Sequence, residues 1–64
     1  MVINGIEKDY AEGITLSEVL AKEGYELEQI AVECNEEIVP KAEYETYILD
    51  AADHLEVVKF MGGG

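Results

Sequence analysis

The sequence predicts an α+β fold in which a mixed sheet of about five strands packs on one helix. Three observations carry this prediction: strand-like runs near both ends, one strong helix signal between them, and a length of only 64 residues. A chain of this size buries only about 60% of the surface that its unfolded form exposes. One helix resting on one sheet is the simplest way to bury a single apolar stripe in so short a chain.

The beginning of the chain predicts a β-hairpin. Apolar residues on both sides meet at Asn4-Gly5, and this dipeptide is a strong hairpin signal because both turn residues take positive φ. We expect strands over about residues 1–4 and 6–11, with Gly13 ending the pattern.

The helix signal follows directly. In the stretch TLSE, Thr15 can accept a hydrogen bond from the amide of Glu18, and Glu18 can accept one from the amide of Thr15. Gly24 stands where a left-handed C-terminal cap is wanted, so the helix should cover about residues 16–23. A helix of two turns is too short to be stable alone, so its apolar stripe must rest on a sheet. The stripe consists of Leu16, Val19 and Leu20.

The second half predicts another hairpin and a covering segment. In residues 30–34 the pattern alternates, with Ile30, Val32 and Cys34 on one face and Ala31 and Glu33 on the other. Asn35-Glu36 is the predicted turn, and residues 37–39 return as a short strand before Pro40. Tyr44, Tyr47 and Ile48 then follow an i, i+3, i+4 spacing, which predicts one helical turn that covers the end of the core.

Residues 55–60 are the predicted final strand, after a loop at residues 51–53. With this element order, the first and last strands can pair in parallel at the centre of the sheet while the helix crosses one face. This is the ubiquitin-like β-grasp arrangement.

The charge balance excludes some partners. Fifteen Asp and Glu face four Lys and no Arg, which gives a formal net charge of −11. Nucleic acids and anionic membranes both require clustered cations, so we expect neither as a partner. The acidity keeps a small protein soluble, and it also suits a basic docking surface on a partner protein.

We expect a cytoplasmic protein, because no run is long enough to span a membrane and no leader pattern is present.

No catalytic or metal site is predicted. His54 is the only histidine and has no partner ligand in the sequence, so a solvated side chain at the start of a strand is expected. Cys34 alternates with apolar residues, which predicts an inert buried thiol. The chain has no glycine-rich phosphate loop and no carboxylate pair in a desolvated cleft, so no bound cofactor is expected.

The last strand and the glycines after it predict a surface for contact with other proteins. If Leu55 and Val57 face the core, Val58 and Phe60 lie on the opposite face, and Met61 adds apolar surface beside them. These three residues, Val58, Phe60 and Met61, form the predicted docking patch. The alternative is that a bulge or a neighbouring segment buries Phe60.

The chain divides into a predicted domain over residues 1–61 and a flexible tail over residues 62–64. Gly62, Gly63 and Gly64 carry no side chains, so the tail can enter a channel that any Cβ would block. Three extended residues reach roughly 10 Å, enough to present the carboxylate of Gly64 to another protein's active site. A frayed end or a cloning scar would have the same composition.

Nearly the whole chain resembles the sulfur carrier family of thiamine (thiazole) biosynthesis, which has the ubiquitin-like β-grasp fold. The resemblance rests on ING at residues 3–5, TLSEVL at 15–20, AVECNEEIVPK at 31–41 and DHLEVVKFMGGG at 53–64. The third block and the terminal glycines are its specific parts. Glu36 and Ala52 stand in turns where the family usually has glycine, so these two departures affect local loop geometry only.

The resemblance implies a carrier protein without catalysis of its own. An E1-like adenylyltransferase would use ATP to adenylate the terminal carboxylate, and sulfur would displace AMP to give a thiocarboxylate. Thiazole synthase would then take the sulfur, and a sulfurtransferase is a further candidate partner. By the same resemblance Gly64 is the modified residue, while Gly62 and Gly63 thread the enzyme channels.

Two alternatives stay open at this point. A small subunit of molybdopterin synthase is a related carrier with the same tail, although it is usually longer than this chain. A β-grasp binding module with inert glycines belongs to a different functional class.

Overall fold

Residues 1–60 form one five-stranded sheet and one α-helix. The structure, a computed structural model, describes residues 1–60. Its elements in chain order are β1 (Val2–Ile3), β2 (Ile6–Glu7), α1 (Leu16–Lys22), β3 (Ile30–Cys34), β4 (Glu37–Ile38) and β5 (His54–Lys59), with 3₁₀ turns at Leu27–Gln29 and Lys41–Glu43.

The strand order in the sheet is β2-β1-β5-β3-β4. The central pair β1 and β5 is parallel, with Val2 opposite His54, and the other neighbouring pairs are antiparallel. The predicted α+β class, with a mixed sheet in the β-grasp arrangement, is confirmed.

Both hairpin turns use left-handed residues. Asn4 and Gly5 have φ of 50° and 83°, and Asn35 and Glu36 have φ of 53° and 72°. The predicted extent of the second strand, residues 6–11, is wrong because β2 ends at Glu7. After that point the chain leaves the sheet edge for the helix, where the Tyr10 hydroxyl donates a hydrogen bond to the Glu23 carboxylate.

The predicted helix start and stop are both present. The Glu18 amide donates to Thr15 Oγ1 at 3.3 Å, and the Thr15 amide donates to Glu18 Oε1 at 3.0 Å. Gly24 takes φ of 85°, and the Tyr25 amide bonds back to the Leu20 carbonyl at 3.0 Å, which ends the helix.

The core lies between α1 and the sheet face that it crosses. The whole predicted helix stripe is buried there, and β1, β3 and β5 supply the opposing side chains. The most deeply buried residues are Leu16, Val19, Leu20, Ile30, Val32 and Leu55. Burial of this kind stabilises the fold by about 1.5–3 kcal/mol for each large apolar side chain.

The predicted helical turn through Tyr44, Tyr47 and Ile48 is wrong in its position. The helical turn lies earlier, at Lys41–Glu43, and Ile48 is 60% exposed. The chain near Ile48 is extended and bridges to Thr15, so side chains alternate with a period of two residues. Leu49 therefore faces the core in place of Ile48.

Within residues 1–60, no helix combines the length and the apolar character that a membrane crossing requires.

Candidate functional site

The final strand β5 separates its side chains between core and solvent as predicted. Leu55 and Val57 are buried, whereas Val58 is 57% and Phe60 53% exposed. The alternative in which Phe60 is buried is therefore wrong. Met61 and residues 62–64 lie outside the described part of the chain, so the docking role of the patch and the role of the tail stay predictions.

Val58 and Phe60 belong to a larger surface, the sheet face opposite α1. Cross-strand partners point to the same face of a sheet, and Val58 pairs with Ala31, while Glu33 pairs with both Glu56 and Ile38. We call the part of this surface on β3, β4 and the second half of β5 the open face; it is formed by Ala31, Glu33, Ile38, Glu56, Val58 and Phe60.

The open face combines exposed apolar groups with negative charge. Glu33 and Glu56 stand directly opposite each other on neighbouring strands, an arrangement that destabilises a sheet. Lys59, the lysine of β5, pairs with the core-facing residue Ile30 and so lies on the other side of the sheet. The six residues of the open face therefore carry negative charge and no positive charge.

Two asparagines hold β5 through its backbone. The side chain of Asn4 accepts from the Val57 amide at 2.7 Å and donates to the Val57 carbonyl at 3.1 Å. At the other end of the strand, Asn35 Oδ1 accepts from the His54 amide at 3.0 Å. Sequence reasoning identified both asparagines as turn residues and missed these contacts, because hydrogen bonds across 53 and 19 residues leave no local pattern.

The end of β5 is also tied to the strand on its other side. The Phe60 amide donates to the Gln29 carbonyl at 2.8 Å, one residue before β3 begins. In the sequence, Met61 and the predicted tail at residues 62–64 follow this anchored strand end.

Cys34 and His54 have the environments that the sequence predicts. The Cys34 side chain is buried, and this burial raises the pKa of its thiol, while the hydrogen bond with the Tyr47 hydroxyl acts in the opposite direction. A protonated thiol is a poor nucleophile, in keeping with a structural residue. His54 is exposed at the start of β5. Across residues 1–60, no group of three or more His, Cys, Asp and Glu side chains is placed to hold a metal ion.

Two solved structures resemble this fold closely. The crystal structure of a thiamine biosynthesis protein (ThiS) from Geobacter metallireducens has a TM-score of 0.78 and 30% sequence identity. That comparison covers 98% of this chain and 96% of the other. A solution structure of a thiamine biosynthesis protein from the same organism has a TM-score of 0.77 at 29% identity, over 98% of this chain and 85% of the other.

Curated relatives carry another name and are much longer. A thiazole synthase of Paramagnetospirillum magneticum is 41% identical over 64 residues, which is all of this chain and 20% of the relative. A thiazole synthase of Magnetococcus marinus is 37% identical over 62 residues, 97% of this chain and 19% of the relative. The chain thus spans about a fifth of the length of these curated relatives.

The model of the ThiS family matches residues 1–64, the full length of the sequence. The strand order, the helix on one face and the two ThiS-like solved structures agree with this match. The chain therefore belongs to the ThiS family.

Proposed function

We propose that this chain is a sulfur carrier of thiamine thiazole biosynthesis and that it holds the sulfur as a thiocarboxylate at the carboxylate of Gly64. The observation that carries the proposal is the ThiS family match, which extends through the last three glycines. The likeness to two thiamine biosynthesis proteins supports the same pathway and not molybdopterin synthesis.

The proposed chemistry takes place on the carrier but in the active sites of other proteins. A carboxylate oxygen of Gly64 attacks the α-phosphorus of ATP, and pyrophosphate leaves with its bonding electrons. The sulfur of hydrosulfide then attacks the acyl carbon; a C–S bond forms, the C–O bond to AMP breaks, and the proton passes to solvent. The carrier itself binds no cofactor in this scheme, because ATP belongs to the activating enzyme.

Gly62 and Gly63 let the tail enter those active sites. A carboxylate must be activated in an enclosed site, since water would hydrolyse the acyl adenylate. Glycine residues have no Cβ, so they fit a narrow channel and adopt whatever backbone conformation the channel requires.

The proposed partners are an E1-like adenylyltransferase and a thiazole synthase. Two relatives named thiazole synthase contain a stretch similar to nearly all of this chain within one longer polypeptide. The occurrence of a carrier-like segment and a synthase in one polypeptide supports the inference that this carrier delivers its sulfur to a thiazole synthase. The proposal includes a cytoplasmic location, where ATP is available for the activation.

The open face is the proposed docking surface for these enzymes. Val58 and Phe60 supply exposed apolar area next to the tail, and Met61 extends it in sequence. Because the Glu33–Glu56 pair has no compensating lysine on this face, the partner surface should combine an apolar centre with Lys or Arg at its rim.

Intact mass spectrometry tests the carrier function. The protein is incubated with ATP, sulfide and an E1-like adenylyltransferase of thiamine biosynthesis, and we expect a mass gain equal to the exchange of one oxygen for sulfur at Gly64. Omitting ATP should remove the gain. The Geobacter metallireducens ThiS protein, treated in parallel, checks that the enzyme is active; a gain there and none here would refute the proposal.

Co-purification separates the two carrier pathways. We expect retention by a thiazole synthase and none by the large subunit of a molybdopterin synthase. Retention by the second protein alone would overturn the thiazole assignment.

A further inference from the structure

We propose that Asn4 is a positioning residue for activation of the tail, because its side chain fixes the end of β5 from which the chain continues to Gly64. This inference rests on the proposed carrier function. It starts from the pair of hydrogen bonds between the Asn4 carboxamide and the backbone of Val57.

The Asn4 side chain continues the parallel ladder after the strand itself has ended. The paired residues of β1 and β5 end with Ile3 and Leu55, and the Asn4 amide adds one more backbone bond, to the Leu55 carbonyl at 2.9 Å. The main chain then turns away into the hairpin. A carboxamide offers the same acceptor and donor as a peptide group, so it can bond both the amide and the carbonyl of Val57.

Asparagine combines two properties that this position needs. Its φ of 50° lies in the left-handed region, which asparagine tolerates better than most residues. Glycine would keep the turn but would supply no carboxamide, and aspartate would supply no donor. The Tyr25 hydroxyl, 3.4 Å from Nδ2, gives the carboxamide a further contact on the helix side.

The contact between Asn4 and Val57 lies near the end of β5, from which the chain continues to the tail. Asn4 holds Val57 from one side, and Gln29 holds Phe60 from the other. Four further residues reach at most roughly 13 Å, so the position of this strand end limits where the carboxylate of Gly64 can be presented. A misplacement of about 1 Å at reacting atoms can cost about 100-fold in rate.

Asn35 provides a matched control within the same strand. It also has a left-handed backbone, with φ of 53°, and its side chain also accepts from a β5 amide. That amide belongs to His54, at the end of β5 remote from the tail. Replacing either asparagine by glycine keeps the turn and removes one side-chain clamp on β5.

The test compares Asn4→Gly with Asn35→Gly as substrates. Carrier-dependent ATP–pyrophosphate exchange by the E1-like adenylyltransferase gives kcat and KM for each variant, and thermal unfolding gives Tm. We expect both variants to lower Tm, but only Asn4→Gly to lower kcat, by about tenfold or more, with KM within about twofold of the unsubstituted chain. Equal kcat values for the two variants would overturn the inference.

A second measurement decides the inference without enzyme activity. Amide residual dipolar couplings report the orientation of residues 58–60, and we expect them to change in Asn4→Gly and to stay constant in Asn35→Gly. Absence of ATP–pyrophosphate exchange with the unsubstituted chain would refute the proposed carrier function. Unchanged residual dipolar couplings in Asn4→Gly would refute the role of Asn4. If Asn4→Gly does not fold, Asn4→Asp replaces it, since it keeps an acceptor for the Val57 amide.

Discussion

Glu36 occupies a backbone conformation that suits glycine. Its φ of 72° lies in the left-handed region, where a side chain crowds the following carbonyl and costs about 1–2 kcal/mol. The residue is exposed in the β3–β4 turn, and no hydrogen bond from its side chain is present in the described part of the chain to offset this cost.

Glu36→Gly should therefore stabilise the fold by about 1 kcal/mol, since glycine takes this φ without strain. Urea denaturation measures the change. Glu37→Gly is the control: Glu37 lies in β4, where glycine should destabilise by about 0.5–1 kcal/mol. A loss of stability in Glu36→Gly would show that its side chain has a role beyond the turn.

Tyr10 links the segment after β2 to the end of the helix. Its hydroxyl donates to the Glu23 carboxylate, and this hydrogen bond, together with burial, raises the pKa of Tyr10 to about 12. Lys8 Nζ lies 3.5 Å from the other oxygen of Glu23. The carboxylate thus receives contacts from two residues of the preceding segment.

Because the pKa of Tyr10 is higher in the folded state than its ordinary value of 10.0, the contact stabilises the fold fully below pH 10. This contribution should be lost as the pH rises through about 12. Phenolate absorbance should show a step near pH 12 to which Tyr47 also contributes, because the pKa of Tyr47 is raised to about 12 as well. Tyr10→Phe should remove the Tyr10 part of this step, and Glu23→Gln should move that part to lower pH. An unshifted step in Glu23→Gln would contradict the assignment.

At the scale of elements, local signals predicted the helix and the turns, whereas long-range pairing decided the remainder. The Thr15 capping box and the Asn4-Gly5 turn depend on neighbouring residues, so the sequence carries them directly. The helical spacing predicts Ile48 on the core side, and this is wrong because Ile48 forms a bridge with Thr15, a contact that no local period reports. The contact between Asn4 and Val57 could not be predicted for the same reason.

For the candidate site, alternation along β5 was enough to predict which side chains face solvent. Val58 and Phe60 are exposed as expected. The acidic part of the open face could not be predicted, because it depends on the register that brings Glu33 opposite Glu56. Register follows from packing across the sheet, which the sequence of one strand does not contain.

Glu56→Lys should have opposite effects on stability and on docking. It replaces a like-charge pair by an opposite-charge pair with Glu33, so the free energy of unfolding should rise by about 0.2–1 kcal/mol. The KM of the adenylyltransferase for the carrier should nevertheless rise several-fold, because the open face loses negative charge. This increase in KM should be smaller at high salt, which screens the charges.

Glu45→Lys is the control for this prediction, since it makes the same change in net charge at an exposed position outside the open face. It should leave KM nearly unchanged. Equal effects of the two substitutions on KM would show that overall charge, and not the open face, determines docking.

At the scale of the whole molecule, the domain and the tail should be separable in their effects. The described core lies between α1 and the sheet, and its buried residues all come from residues 1–57. Changes at residue 64 should therefore affect chemistry without affecting folding.

Deletion of Gly64 should abolish thiocarboxylate formation while leaving Tm nearly unchanged. The shortened tail would place its carboxylate about 3.5 Å short of the reacting position. Intact mass and thermal unfolding measure the two effects, and replacing exposed Glu12 by glutamine is a surface control that should change neither. A large fall in Tm on deletion would assign the tail a structural role.

The central position of β5 also bears on when the protein becomes competent during synthesis. This strand pairs with β1 on one side and β3 on the other, and its contact with Asn4 joins residues 53 positions apart. Such distant pairing makes folding depend on the last strand, so a nascent chain that has not yet released β5 lacks the middle of its sheet. A chain that lacks β5 therefore cannot assemble the open face, and docking to the proposed activating enzyme should require β5 in its place between β1 and β3.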